Sequence, residues 1–226
     1  MNYSYGSYNK FNNTEQWIRI TEGCPHHHPY CYEPQEIKIF PIPEIVRNQV
    51  KIMDMNLLCK RIALGTICEL GGRRVNNKVV YYELICGIDY RFLTQEIADA
   101  LKFNRFINIR FAWDWEYKYQ YTIARALSYL LKAGYKSDEI TIFMICNWKI
   151  PHTECLKKLD LCKVWRVKVA DCWFDNQTSP NIQPIHWTIM EIKDFRRRVR
   201  LHNQLVRFGI DPNIKKSEEM QKEILF

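Results

Sequence analysis

The chain contains no apolar run of the roughly 20 residues needed to cross a bilayer, so the sequence predicts no membrane span. Residues 1–16 are rich in Asn, Tyr and Ser and lack the apolar centre of a secretory signal. They read as a flexible N-terminal arm, and a cytoplasmic location is expected. A glycine-rich phosphate loop with its lysine is missing too, because Gly71-Gly72 lacks that spacing, and no serine-nucleophile motif is evident. A paired disulfide framework is equally absent: nine cysteines, odd in number and scattered, argue for reduced thiols.

What is present is an ordinary globular composition, with 47% hydrophobic and 26% charged residues, and enough length at 226 residues to bury a sizeable core. The balance of 33 Lys and Arg against 25 Asp and Glu gives a formal charge of +8, which suits an anionic partner without naming one. Cys59, Cys68, Cys86, Cys146, Cys162 and Cys172 lie in apolar surroundings and read as small hydrophobes. The densest basic run, Arg196-Arg197-Arg198 with Arg200 and Arg207, falls on a helix and reads as a solvated face; nucleic-acid contact is the minority reading.

The loop Cys24-Pro25-His26-His27-His28-Pro29-Tyr30-Cys31 stands apart. Two thiols and three imidazoles at such short separations gather soft and borderline ligands, as zinc or an iron–sulfur cluster requires. Packing is a poor alternative for a stretch so rich in Pro and His. A tetrahedral zinc held by Cys24, Cys31 and two of the histidines is one option, although no second ligand pair at zinc-finger spacing follows.

Residues 17–21 alternate with period two and lead directly into this loop. Further strands are predicted over 49–53, 78–86, 106–112, 139–146 and 164–170, with a shorter extended piece at 37–40. Helices are predicted over 57–70, from a Thr94 cap onwards, over 116–133, around 153–159, and from a Thr188–Glu191 capping box to Gly209. Strands alternating with helices imply parallel βαβ units, which roll into an open or closed barrel with its site at the strands' C-terminal ends. Cys24, Asp54, Asp89, Asp114, Asn147 and Asp171 each sit just past a predicted strand, and the repetition is the argument. Glu83 and Arg110 are expected to face a barrel interior, where a charge needs a partner. The expected fold is therefore α/β, a partial or six-stranded (β/α) barrel of the TIM-barrel kind over 17–209, followed by a charged C-terminal tail at 210–226.

The chain resembles the radical S-adenosylmethionine (radical SAM) superfamily over roughly 17–209. That family carries three cysteines spaced C-x3-C-x2-C after the first strand, with an aromatic residue before the last. Here Cys24, Tyr30 and Cys31 match, His28 stands at the middle position, and Asp54-Met55-Asn56 and Gly87-Ile88-Asp89-Tyr90-Arg91 are similar to stretches in some members. The resemblance implies a [4Fe–4S] cluster faced by Cys24, His28 and Cys31, with S-adenosylmethionine chelating the open iron. Reductive cleavage would give a 5′-deoxyadenosyl radical that abstracts hydrogen from a substrate the sequence does not name, with an external electron donor as partner. Imidazole in place of thiolate raises a cluster's potential, so activity turns on His28.

Around that cluster the resemblance places Tyr30, Asp54, Asn56, Asp89, Arg91, Asp114 and Asn147 as cofactor-binding candidates, Arg91 toward the methionyl carboxylate and an Asp or Asn toward the ribose. The other class of function is a non-catalytic or zinc-binding barrel protein that serves as a binding module for an anionic partner.

Overall fold

The computed structural model describes residues 5–26, 28, 31, 33–146, 149–173 and 187–209. Their contacts divide the chain, read from sequence as one domain, into two compact units, Met1–Arg110 and Phe111–Phe226. The tail at 210–226 lies outside the described residues.

The first unit opens with β1 (Tyr8–Phe11) and β2 (Gln16–Arg19), followed by two short strands, β3 (Thr21–Glu22) and β4 (Lys38–Ile39). Next come β5 (Gln49–Ile52), α1 (Ala63–Leu70), the hairpin pair β6 (Arg74–Val75) and β7 (Lys78–Val79), then β8 (Tyr81–Leu84) and α2 (Gln95–Phe103). The main sheet runs β1-β2-β5-β8. Strand β5 lies parallel to both neighbours, with Ile18 opposite Ile52 and Ile52 opposite Leu84, so the C-terminal ends of β2, β5 and β8 fall in one row. The alternation that predicts these strands is visible in burial: Ile18, Val50, Ile52, Tyr82 and Leu84 are all inside. Helices α1 and α2 present Ile67, Leu70, Ala98 and Leu101 to the core, and the Tyr82 hydroxyl donates to Leu70 O at 2.7 Å.

Three local expectations are corrected here. Within the stretch read as an arm, β1 pairs antiparallel with β2. The Asn12 carboxamide accepts from the backbone of Thr14 and Glu15, both at 2.8 Å, and this Asx turn makes a hairpin of what composition alone reads as a polar tail. The helix expected over 57–70 is broken: a 3-10 turn at Leu57–Cys59 precedes α1, because Lys60 is extended and folds its amine back onto Asn56 O at 2.8 Å. The strand expected over 78–86 is split into β7 and β8, and β7 returns to β6 through Asn76 and Asn77. Both asparagines have positive φ, as a tight two-residue hairpin turn demands.

The division falls within β9 (Arg110–Ala112), and the second unit goes on to α3 (Gln120–Lys132), β10 (Thr141–Cys146), α4 (His152–Trp165), β11 (Lys168–Trp173) and α5 (Ile189–Phe208). Its sheet runs β11-β10-β9, with β10 and β11 parallel. Helix α4 is longer than expected and takes in Val164 and Trp165, which read as strand. Its buried face, Cys155, Lys158, Leu159, Cys162 and Trp165, follows helical spacing, and the left-handed Arg166 ends it. Helix α5 begins at the expected capping box and ends at left-handed Gly209. The Asn203 carboxamide accepts from Val169 N at 2.9 Å and donates to Val169 O at 2.7 Å, standing in for a neighbouring strand.

His202, beside it, is 3% exposed, and its Nε2 donates to Val167 O at 2.7 Å, a bond that fixes the neutral tautomer. Burial pulls its pKa below the ordinary 6.5. The unfolded chain therefore takes up the proton first, so this contribution to stability is intact above about pH 6.5 and is lost as pH falls toward the folded value. Urea midpoints measured from pH 8 to pH 5 are expected to fall less steeply in His202→Gln, whose amide keeps a donor without titrating. Parallel curves for the two proteins would assign the acid sensitivity elsewhere.

Candidate functional site

The loop that follows β3 is clasped at its base. Gly23 has φ +90, and a Cβ there would lie 2.0 Å from Glu36 O, so no other residue fits. Its N–H donates to the Glu33 carboxylate at 2.8 Å, and Cys24 N donates to Pro34 O at 2.9 Å. Cys24 is thereby set at the strand end, 6% exposed. Within the loop His28 N donates to His26 O at 3.2 Å and Cys31 N to His28 O at 2.9 Å, and the His26 and His28 rings stack at 6.3 Å.

Strand β5 contributes the support. Asp54, fully buried, accepts from Ile20 N (2.9 Å), Thr21 N (2.7 Å) and the Thr21 hydroxyl (2.6 Å). Burial pushes its carboxyl above the ordinary range against the pull of these donors. Both of its oxygens are thus spent on the backbone and side chain between β2 and β3. Asn56 does the contacting: its Nδ2 lies 3.8 Å from the Cys24 sulfur and 3.3 Å from Asp89 Oδ2. Its carbonyl accepts from the Cys59 thiol at 3.1 Å and from the Lys60 amine, while its side-chain oxygen is buried with no hydrogen-bond partner among the described residues.

Strand β8 contributes Asp89 and Arg91. The guanidinium forks onto the carboxylate at 2.8 and 2.6 Å, and His26 Nε2 is 3.8 Å away on the other side. Burial alone would raise the Asp89 pKa, but the Arg91 fork outweighs it and holds the carboxyl below its usual range. The Cys24 thiol is lowered to about 5, chiefly by a hydrogen bond from the Cys59 thiol, with help from His26 and Asn56 against the cost of burial.

Cys24, Asn56, Asp89 and Arg91 are thus gathered at the C-terminal ends of three parallel strands, with Asp54 beneath them as a clamp. Tyr30 and Asn147 lie outside the described residues, as does His27. Asp114 belongs to the second unit and is half-buried there. Asp171 lies inside β11 and not past its end, held by Trp173 Nε1 at 2.7 Å and facing Arg196 at 3.4 Å. Arg197 and Arg198 both pair with Asp194, in keeping with a solvated face. Glu83 and Arg110 do pair, at 2.9 Å, and both belong to the first unit.

Sequence reasoning misses Cys59, Lys60 and Glu33. Cys59 reads as a small hydrophobe, yet its thiol donates to the Asn56 carbonyl at 3.1 Å and it is the largest influence lowering the Cys24 pKa. Lys60 is 4% exposed, and its charge pulls against the burial that raises the Glu33 carboxyl. The only available signal was position: both follow Asp54-Met55-Asn56 at a strand end. Among the described residues, no three His, Cys, Asp or Glu side chains stand close enough together to hold one metal ion. No family model matches the chain, and no curated protein matches it.

Proposed function

We propose that this chain is a radical SAM-like iron–sulfur protein, built on a partial (β/α) barrel, in which Cys24, His28 and Cys31 hold a [4Fe–4S] cluster and S-adenosylmethionine binds beside it. The observation that carries the reading is Cys24: a buried thiol just past β3, contacted by the Asn56 amide, which also reaches the Asp89 carboxylate from beyond β5. Open parallel sheets and barrels place their ligands at the C-terminal ends of their strands.

Cys24 and its neighbours suit such a group, although no three donors are gathered around one ion among the described residues. Metal ligation requires a deprotonated sulfur, and the surroundings of Cys24 lower its pKa in that direction. Asn56 orients that sulfur by an amide contact, as outer hydrogen bonds do for metal ligands. Asp89 and Arg91 offer a carboxylate and a guanidinium side by side, complementary to the ammonium and carboxylate of an amino-acid moiety. Binding there requires Arg91 to exchange its internal fork for the ligand's carboxylate. A cluster held there would pass one electron from an external donor to S-adenosylmethionine, which would part into methionine and a 5′-deoxyadenosyl radical able to take hydrogen from the substrate.

Anaerobic reconstitution with iron and sulfide tests the reading. About four irons and four sulfides per chain are expected, with 5′-deoxyadenosine released from S-adenosylmethionine under dithionite, and Cys24→Ala is expected to lose both. A colourless protein carrying a single zinc would replace this reading with the binding-module one.

A further inference from the structure

Helix α5 turns one face inward, and its opposite face is almost wholly basic. Phe195, Val199 and His202, spaced four and three apart, are buried where the helix packs on β11 and α4. The same spacing begun two residues earlier gives Lys193, Arg197, Arg200, Gln204 and Arg207, about 200° round the helix and all exposed. At 1.5 Å per residue this stripe is about 21 Å long. Over its length the helix carries six Lys and Arg against two Asp and Glu. Arg197 and Arg198 share the single carboxylate of Asp194, and Arg196 is drawn aside to Asp171 and the Trp173 ring. Lys193, Arg200 and Arg207 have no carboxylate partner among the described residues.

We infer that this face of α5 binds single-stranded nucleic acid by its phosphodiester backbone. Guanidinium groups fork onto phosphate oxygens, and a row of them in line matches a chain that carries a charge at every link. Two features favour a single strand over a duplex. Arg197, Arg198, Arg200, Leu201 and Gln204 line an open hollow of about 630 Å³, which gives an unstacked base an apolar and an amide contact that paired bases cannot reach. Arg207 lies over the exposed Phe208 ring, 6.0 Å from its centre, and flat groups so placed offer a base a stacking platform. An anionic membrane is the poorer match. The apolar face of α5 is spent in the core, and the exposed Ile189, Met190, Leu201 and Phe208 are scattered along its twenty residues with no continuous face to enter a bilayer. Neither the ligand loop nor a cluster takes part.

The test is fluorescence anisotropy of the full chain, without added metal, against labelled oligo(U) and oligo(dT) of about 20 nucleotides, longer than a typical single-strand site. The two are expected to bind alike, because phosphate contacts do not read the 2′-hydroxyl. Lys193→Ala/Arg200→Ala/Arg207→Ala is expected to weaken binding by about tenfold or more at ~0.1 M salt, and to flatten the slope of log K against log salt by about 2, three contacts at about 0.7 each. Lys78→Ala/Lys132→Ala/Lys157→Ala removes the same charge from exposed lysines elsewhere and is expected to keep the affinity within about threefold, since it spares the face that touches the strand. An equal loss in the two triple variants overturns the inference, because net charge and not this face would then be at work. Tighter binding of a duplex of the same length overturns it as well, and so does capture by phosphatidylserine vesicles with no binding of either oligonucleotide. Each of these results leaves the cluster reading untouched, and failed iron uptake leaves the α5 face untouched.

Discussion

Replacing Asp54 with alanine is expected to destabilise the protein by on the order of 3–5 kcal/mol, a large share of the roughly 5–15 kcal/mol that holds a typical domain together. The carboxylate is wholly buried and accepts from Ile20 N, Thr21 N and the Thr21 hydroxyl. Its removal strands three donors without water, at about 1–3 kcal/mol each before relaxation. Asp54→Asn keeps the shape but turns its NH2 toward a backbone N–H, which only donates, so it is expected to recover part of the loss and no more. Chemical denaturation of the apo protein reads the effect. A loss under 1 kcal/mol for the alanine variant would show that Asp54 does not clamp the segment leading into the ligand loop.

The second large effect is expected at Glu83. This carboxylate is 4% exposed and is approached by Lys51, by Asn108 at 2.9 Å and by Arg110 at 2.9 Å, while Lys51 also reaches Glu15 at 3.5 Å. Burial would raise its pKa, but the hydrogen bonds from Lys51 and Asn108 and the charges of Lys51 and Arg110 together bring it below the ordinary value. Because the folded pKa is depressed, the stabilisation is complete above the unfolded carboxylate pKa, near 4.3, and is lost as pH falls through the folded value. Glu83→Ala leaves two cations facing each other, at an expected cost of about 2–4 kcal/mol, the upper end of the buried-pair range being softened because both cations keep some exposure. Glu83→Gln retains hydrogen bonds without the charge and is expected to flatten the acid limb of the stability curve below pH 5. An acid limb identical to wild type would exclude Glu83 as its source.

Much of the fold was legible because the hydrophobic period carries it. Ile18, Val50, Ile52, Tyr82 and Leu84 alternate as half-buried strands must, and Thr188 with Glu191 marks a helix start by local chemistry alone. The failures share a physical cause, the override of local pattern by a contact distant in sequence or by a side chain turning back on the main chain. Asn12 folds a polar tail into a hairpin, and Lys60 breaks a helix by reaching for Asn56 O. At the site, the strand-end rule named Cys24, Asn56 and Asp89, which the structure links through the Asn56 amide. It gave no warning that Asp54 would be consumed as a backbone clamp, or that Arg91 would be engaged by Asp89. Cys59 was invisible because its bond to the Asn56 carbonyl depends on the 3-10 turn that interrupts the predicted helix.

The clasp at the base of the ligand loop has a consequence for how binding energy is distributed. Gly23 against Glu36 O, Gly23 N on Glu33 and Cys24 N on Pro34 O close the segment into a ring before any ligand arrives. Closing a flexible loop of this length costs entropy that grows only with the logarithm of its size, and here that cost is met when the unit folds. An incoming ion or cluster then spends its bonds on affinity and not on gathering the chain. A ring anchored at its neck is also a separable part: the residues it encloses can vary in length and chemistry while the strands on either side keep their register, so one scaffold can present many different donor sets.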